Sequence, residues 1–229
     1  MPPSIVSAMS AFEDDPLVQG VQAFVKEYMS RYDSSHDWHH VERVVAMAHH
    51  IYNNSDPAFQ ATLDLRTIHL AALLHDVGDH KYLPADQTPT SELTTLLASL
   101  SCPADLALAL ESIIPAVSYT SETRALSTPS GAAAQASLLQ AHPELAVVRD
   151  SDRLDAMGAV GLARMFAFGA VKGGGRSLAE SMEHLDEKLV KLEGMMRTEA
   201  GKKEARVRGE RLRMFREWWV DEVGEVGRG

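Results

Sequence analysis

The chain has little that would tie it to an oxidising compartment or to a membrane. Its 229 residues include a single cysteine, Cys102, which excludes an internal disulfide framework and fits a reducing environment. No apolar run approaches the roughly 20 residues that span a bilayer, and residues 1–20 lack a basic region followed by an apolar core. We therefore expect a soluble, cytoplasmic protein.

Basic residues are also scarce. The chain has 22 lysines and arginines against 32 aspartates and glutamates, which gives a formal net charge of −10. This balance argues against a nucleic-acid polymer or an anionic membrane as the main partner. A small anion could still bind to a local group of cations, so we expect a small-molecule partner. The sequence leaves monomer and homodimer open.

Alternating strand patterns are missing too, whereas helical patterns are abundant. Hydrophobic residues make up 45% of the chain, enough for one compact core. We predict an all-α fold with a flexible lead-in at residues 1–15 and a single domain at 16–226. Apolar residues at three- and four-residue spacing predict helices at about 16–32, 36–53, 64–76, 91–100, 103–114, 158–167, 178–198 and 202–223.

Two stretches are harder to interpret. Residues 120–145 are rich in Ala, Ser, Thr and Gln, and we expect a variable, insert-like loop with one weakly specified helix. The last helix is expected to bury Val207, Leu212, Phe215 and the pair Trp218-Trp219. This tryptophan pair fits either the core or a dimer contact, and we favour the core.

The stretch from Leu70 to Asp79 is unusual because an apolar helix ends in polar chemistry. Its last residues include His75, Asp76 and Gly78, and glycine is a common helix terminator. Buried polar groups need partners. A divalent metal suits an imidazole and a carboxylate together.

Two further residues complete a candidate metal site. His40 lies on the second predicted helix, and Asp152 lies near the start of a later one. Two imidazoles and two carboxylates form a mixed nitrogen and oxygen set, which suits Mn²⁺, Mg²⁺, Co²⁺, Ni²⁺ or Fe²⁺ better than a thiolate-rich structural Zn²⁺ site. We expect one divalent ion, with Mn²⁺ first and Zn²⁺ not excluded.

The order of these residues resembles the H…HD…D signature of HD-domain metal-dependent phosphohydrolases. The similarity extends over about residues 17–222 and is greatest to small HD hydrolases, a group that includes nucleoside triphosphate pyrophosphohydrolases. The stretches that carry it are Ser35-His-Asp-Trp-His-His-Val-Glu-Arg-Val44, His75-Asp-Val-Gly-Asp-His-Lys81, Asp150-Ser-Asp-Arg-Leu-Asp-Ala-Met-Gly158 and His184-Leu-Asp-Glu-Lys-Leu-Val-Lys-Leu192. The poorest match is at residues 120–145.

The resemblance implies a helical HD-domain bundle with His40, His75, Asp76 and Asp152 as metal ligands. It also implies that Asp79 orients or deprotonates the attacking water; the alternative is a local hydrogen bond with Lys81. Cations must contact the phosphates of an anionic substrate, and surface or internal ion pairs are the competing interpretation for each. The candidate substrate-binding residues are His36, Arg43, Lys81, Arg153, His184 and Lys188.

The resemblance favours hydrolysis of a nucleoside triphosphate to a monophosphate and pyrophosphate. A nucleoside 5′-monophosphatase, or another HD phosphomonoesterase or phosphodiesterase, is the main alternative. A di-iron oxygenase is less favoured because His80 and His142 are the only further histidines between Asp76 and Asp152. A non-catalytic nucleotide sensor is disfavoured by the intact ligand set.

Overall fold

The structure, a computed structural model, describes residues 4–30, 37–78, 89–171 and 175–224. Regular elements within these ranges are all helical and include no strand, which confirms the predicted all-α fold. The α-helices, in chain order, are α1 Ile5–Met9, α2 Pro16–Met29, α3 Trp38–Asn53, α4 Pro57–Gln60, α5 Leu65–Leu74, α6 Pro89–Ser99, α7 Ala104–Val117, α8 Tyr119–Leu126, α9 Pro129–Ala141, α10 Glu144–Asp155, α11 Gly158–Val171, α12 Leu178–His184 and α13 Glu199–Val223.

Helices α3, α5 and α10 form the centre of the molecule and pack against one another. Their sequences explain this position, because each presents apolar or small residues on more than one side. In α5 every residue from Thr67 to Leu74 is buried, which is the pattern of a helix surrounded by other elements. The remaining helices cover this group, with α2 and α7 against α5, and α13 against α10 and α11.

The ends of α3 and α5 differ slightly from the prediction. The N-cap of α3 is Asp37, whose carboxylate accepts the amide of His40 at 3.0 Å, and the helix begins at Trp38. Helix α5 ends at Leu74 rather than at Asp76, and the chain then turns through Gly78 with φ 80°. Glycine tolerates this left-handed conformation.

The N-terminal segment carries more structure than the expected lead-in. Helix α1 packs against α3, and Ala8 is 2% exposed. The ring of Phe12 lies 5.0 Å from that of His69 on α5. Apolar side chains in this segment therefore contribute to the core. The helix is too short for the spacing of its apolar residues to form a recognisable period.

Residues 120–145 were expected to form a loop with one weakly specified helix, but two helices, α8 and α9, occupy most of this stretch. Helix α8 contains Glu122, a carboxylate buried among arginines. Helix α9 begins at Pro129, where the side chain of Thr128 accepts the amide of Gly131 at 3.2 Å. A capping residue and a buried charge therefore stabilise this stretch, together with Tyr119, Leu138 and Leu139, which pack against the core.

The C-terminal region corrects two further expectations. The helix predicted at 178–198 is interrupted after α12 by a π-helical turn, Leu185–Leu189, and a 3₁₀ segment, Val190–Met195. In α13, Trp219 packs on Phe166, but Trp218 is 58% exposed and Val207 is 45% exposed. From Arg213 to Val223 no residue of α13 is fully buried, and Phe215 and Trp219 are the side chains that pack against the core.

Among the described residues, no single helix combines the length and the apolar character needed to cross a membrane. Helices α10 and α11 meet that test only as a pair, and they are bent by 70° at their junction.

Candidate metal centre and adjoining cavity

Four candidate metal ligands meet where α3, α5 and α10 converge. The Nε2 atoms of His40 and His75 are 3.0 Å apart, and Asp76 Oδ2 lies 3.4 Å and 3.5 Å from them. Asp152 Oδ1 lies 3.6 Å and 3.8 Å from the same two nitrogens. The structure thus brings together all four ligands predicted from the sequence.

Hydrogen bonds hold both imidazole rings with Nε2 toward the other ligands. His75 Nδ1 donates to the carbonyl oxygen of Ala72 at 2.8 Å, and His40 Nδ1 donates to Asp155 Oδ2 at 2.7 Å. A carbonyl or an ionised carboxylate can only accept, so each Nδ1 carries the ring proton. A neutral ring then offers its Nε2 lone pair, which is how metal-ligating histidines are usually oriented.

The ligand group has the spacing and the chemistry of a divalent-metal site. Bonds of about 2.0 to 2.2 Å hold neighbouring ligand atoms about 3 to 3.6 Å apart, close to the observed separations. Burial and the charge of Arg164 lower the pKa of His40, but hydrogen bonds with Asp155 and Asp76 outweigh them and the pKa is raised. A buried imidazole with a raised pKa indicates a position that attracts positive charge.

Asp155 is the functional residue that the sequence analysis missed. It lies one turn after Asp152 on α10, is 3% exposed, and accepts hydrogen bonds from Arg43 Nε at 2.7 Å and Arg164 Nη1 at 3.0 Å as well as from His40. Burial alone would raise the pKa of this carboxyl, but these contacts hold it well below its usual range. The signal in the sequence was the Asp-x-x-Asp spacing, which places both carboxylates near one side of the helix.

A cavity of about 350 Å³ adjoins the ligand cluster. His75, Asp76 and Asp152 form part of its wall, and the start of α8 forms another part. A volume of this size is within the range of small-molecule sites. Apolar side chains supply much of the rest of the lining, including Ile114, Val117, Met165, Phe168, Leu189 and Leu192.

Two predicted substrate-binding residues, His184 and Lys188, line this cavity. Lys188 Nζ lies 4.9 Å from the centre of the Tyr119 ring, a cation–π distance. Burial and the neighbouring charge of Lys188 lower the pKa of His184. The imidazole is therefore neutral at pH 7, and it would contact a ligand by hydrogen bonding rather than by charge.

Arg153 also lines the cavity, but its guanidinium is hydrogen-bonded to two groups of the protein. Its Nη2 donates to Glu122 and its Nη1 to the carbonyl oxygen of Met195 at 3.2 Å. Arg153 thus forms an internal ion pair, which was the alternative interpretation, and its partner is Glu122. The Nε of Arg153 is buried and has no hydrogen-bond partner among the described residues.

Arg43, a further predicted substrate-binding residue, does not line this cavity. Arg43 is directed to Asp155 through Nε and Nη2, at 2.7 Å and 3.0 Å, one helical turn after His40. It supports the metal centre instead of facing the cavity. The candidate residues His36, Asp79 and Lys81 lie outside the described residues.

Glu122 was not anticipated as part of the site's framework. Its Oε1 accepts Arg149 Nη1 at 3.1 Å and Arg197 Nη2 at 2.7 Å, and its Oε2 accepts Arg153. Burial raises the pKa of this carboxyl, but the three arginines lower it on balance. Glu122 thus joins α8, at the cavity wall, to α10, which carries the metal ligand Asp152.

Comparison with known proteins gives related chains of similar length. No protein-family model matches the chain. The uncharacterized protein YpgQ of Bacillus subtilis strain 168 is 30% identical over 190 residues, which span 82% of this chain and 84% of YpgQ. A crystal structure of Bacillus subtilis YpgQ in complex with ADP has a TM-score of 0.67 at 26% identity, covering 90% of this chain and 100% of that chain. The crystal structure of an HD-superfamily hydrolase from Bacillus thuringiensis has a TM-score of 0.64 at 28% identity, covering 93% and 98%.

Proposed function

Because this chain belongs to the HD superfamily of hydrolases, we propose that it is a divalent-metal-dependent nucleoside triphosphate pyrophosphohydrolase. The observation that carries the proposal is the cavity of about 350 Å³, which combines three of the four metal ligands with Arg153, Arg164 and Lys188 in one wall. An overall charge of −10 makes such a local group of cations informative, because an anionic ligand is attracted here and repelled elsewhere.

The ADP complex of the relative YpgQ supports a nucleotide as the ligand class. Phosphates would lie toward the metal ligands and cations, since both favour negative charge. The apolar part of the wall, with Tyr119 and Phe168, would then face the nucleoside. Aromatic rings commonly stack on bases.

Different side chains would bind the metal ion and the phosphate chain. His40, His75, Asp76 and Asp152 would hold the ion, and a divalent ion at such a site polarises a phosphoryl oxygen and lowers the pKa of water. Lys188 and the positive charge of Arg153 would attract the phosphate chain to this cavity. In the proposed reaction water forms a bond to the α-phosphorus, the bond from that phosphorus to the bridging oxygen breaks, and pyrophosphate leaves.

The proton of the attacking water needs an acceptor. We propose Asp79 for this role, as its position in the HD-like motif implies. It follows Gly78 directly in the sequence, and Gly78 lines the cavity. Manganese is the ion that we propose first, because mixed imidazole and carboxylate ligands suit it.

A nucleotide panel tests the proposal. Protein reconstituted with Mn²⁺ is incubated with ribo- and deoxyribonucleoside triphosphates and monophosphates, and products are measured as orthophosphate before and after addition of an inorganic pyrophosphatase. We expect phosphate to appear only after that addition. Reaction in ¹⁸O-water should then label the monophosphate, because water attacks the α-phosphorus.

Other outcomes separate the alternatives. Orthophosphate released directly from a monophosphate would favour the 5′-monophosphatase. Label in pyrophosphate rather than in the monophosphate would move the attack to the β-phosphorus. No turnover of any nucleotide by metal-loaded protein would contradict the proposal, and nucleotide binding without turnover would favour a sensor.

A further inference from the structure

We propose that Arg164, which the sequence analysis did not select, binds the substrate phosphate next to the metal centre, and that its contact with Asp155 couples phosphate binding to metal binding. The proposal rests on the proposed function for the nature of the ligand, a phosphate chain. It assigns one further residue and predicts the sign of its effect on each of the two ligands.

The position of Arg164 is the first support. It lies on α11, and its side chain is 13% exposed. It lines the cavity together with His75, Asp76 and Asp152, so a ligand that reaches the metal ligands also reaches this guanidinium. Guanidinium groups present several donors in a plane, a geometry that suits phosphate oxygens.

The contact with Asp155 is the second support. One oxygen, Asp155 Oδ2, accepts Arg164 Nη1 at 3.0 Å, Arg43 Nη2 at 3.0 Å and His40 Nδ1 at 2.7 Å. A carboxylate that accepts the Nδ1 proton of a histidine makes Nε2 a better metal ligand. Two guanidinium groups on the same oxygen weaken this effect, because they withdraw negative charge from it.

The charge of Arg164 has opposite consequences for the two ligands. The guanidinium of Arg164 and the ring of His40 bind the same oxygen, Asp155 Oδ2, so the positive charge of Arg164 lies close to the metal centre and opposes a second positive charge there. A bound phosphate carries negative charge to Arg164, offsets that repulsion and draws the guanidinium toward the ligand. Arg164 is therefore expected to weaken metal binding when phosphate is absent and to favour metal and phosphate binding together.

A purely structural role for Arg164 makes the contrary prediction for the metal. If Arg164 served only to hold Asp155, its loss would free that carboxylate to move, His40 would be less well oriented, and metal affinity would fall. The sign of the change in metal affinity therefore distinguishes a phosphate-binding Arg164 from an Arg164 that only holds Asp155 in place.

The test uses Arg164→Met, which keeps length and removes charge, Arg164→Lys, which keeps charge, and Arg216→Met as a control. Arg216 is matched because it also pairs with an aspartate, Asp186, at 2.8 Å, but it lies on the exposed side of α13. Two dissociation constants are measured for each protein. One is for Mn²⁺ alone, and the other is for methylenediphosphonate, an inert pyrophosphate analogue, at a fixed saturating concentration of free Mn²⁺.

For Arg164→Met we expect the dissociation constant of methylenediphosphonate to rise about tenfold or more, as for loss of a charged hydrogen bond, while that of Mn²⁺ falls. Arg164→Lys should lie between this variant and the wild type, and Arg216→Met should match the wild type. Unchanged phosphonate affinity, absence of phosphonate binding to the wild type, or unchanged or weaker Mn²⁺ binding in Arg164→Met would each overturn the inference.

These measurements can contradict the assignment of Arg164 without contradicting the proposed function, and the converse is also true. If the wild type turns over no nucleoside triphosphate but Arg164→Met still loses phosphonate affinity, the reaction is wrong and the assignment of Arg164 stands. If turnover is found and phosphonate binding does not depend on Arg164, the proposed reaction stands and the assignment of Arg164 is wrong.

Discussion

In both imidazoles of the candidate metal centre, Nδ1 donates a hydrogen bond to a protein oxygen, and Nε2 is directed toward the position of the metal ion. Replacing one ring removes a ligand and leaves the others too few for a tightly held ion. We expect His75→Ala to lose bound metal and turnover together, as measured by elemental analysis and pyrophosphate release. His39→Ala, at an imidazole whose side chain is 73% exposed, is the control and should retain both.

Asp155 is predicted to affect metal affinity through its hydrogen bond with His40. Asp155→Asn keeps the shape of the side chain but replaces a charged acceptor with a group that also donates. The Nδ1 proton of His40 loses its ionised partner, so metal affinity should fall about 10- to 100-fold, as for other residues that orient a ligand. Titration of Mn²⁺ checks this, and an unchanged affinity would show that His40 is oriented without Asp155.

Asp79 is predicted to act on the water rather than on the ion. Asp79→Ala should therefore keep the wild-type metal content while kcat falls by about 10²-fold or more, the range for loss of general-base catalysis. Metal content and steady-state rates are measured on the same preparation. An unaltered kcat would remove Asp79 from the reaction.

The ligands could be predicted from the sequence because their residue types and order carry the chemistry. His40, His75, Asp76 and Asp152 have few other uses in that order. Asp155 and Arg164 could not be predicted in the same way. Their roles depend on which side chains α3 and α11 bring to the end of α10, and a lone Asp or Arg on a helix is most often solvated.

Among the elements, α8 depends on a single buried charge. Glu122 is wholly buried and balances Arg149, Arg153 and Arg197. Glu122→Gln would leave three guanidinium groups without their carboxylate, and we expect the free energy of unfolding to fall by about 3 to 5 kcal/mol. Urea denaturation measures it.

The matched control for that change is Glu193→Gln. Glu193 pairs with Arg213 at 2.8 Å, but this pair is at the surface, where an ion pair contributes about 1 kcal/mol or less. A similar loss in both variants would contradict the role given to Glu122.

Helix periods predicted the long elements well, since α2 and α13 bury one face each. The same signal failed for α8, whose order depends on arginines 27 or more positions away in the chain. It also failed at the break after α12, because a π-helical turn leaves no mark in the pattern of apolar residues. Val207 and Trp218 were wrongly placed inside because periodicity gives a face but not whether another element covers it.

At the scale of the whole molecule, a buried histidine pair makes stability depend on pH. His69 is wholly buried, its Nδ1 is 2.9 Å from His49 Nε2, and burial together with the charge of His49 lowers the pKa of His69 to about 3. Between pH 6.5 and this value the unfolded chain binds a proton that the folded protein does not. Stability is therefore lost as the pH falls below about 6.5.

One such group contributes about 2 kcal/mol between pH 6.5 and pH 5. His69→Leu removes the titration, so its free energy of unfolding should decline less steeply over this interval than that of the wild type. Urea denaturation at several pH values measures both slopes, with His39→Leu as the control at an exposed imidazole. Equal slopes for His69→Leu and the wild type would contradict the assignment.

The metal centre also has a consequence for how the chain is assembled. His40 and Asp155, its orienting partner, are 115 positions apart, so the ligands meet only when α3, α5 and α10 have docked correctly. An ion held there acts as a cross-link between distant parts of the chain and favours the folded state by mass action. Metal content per chain should therefore follow the fraction of correctly folded molecules, and removal of the ion should lower the free energy of unfolding.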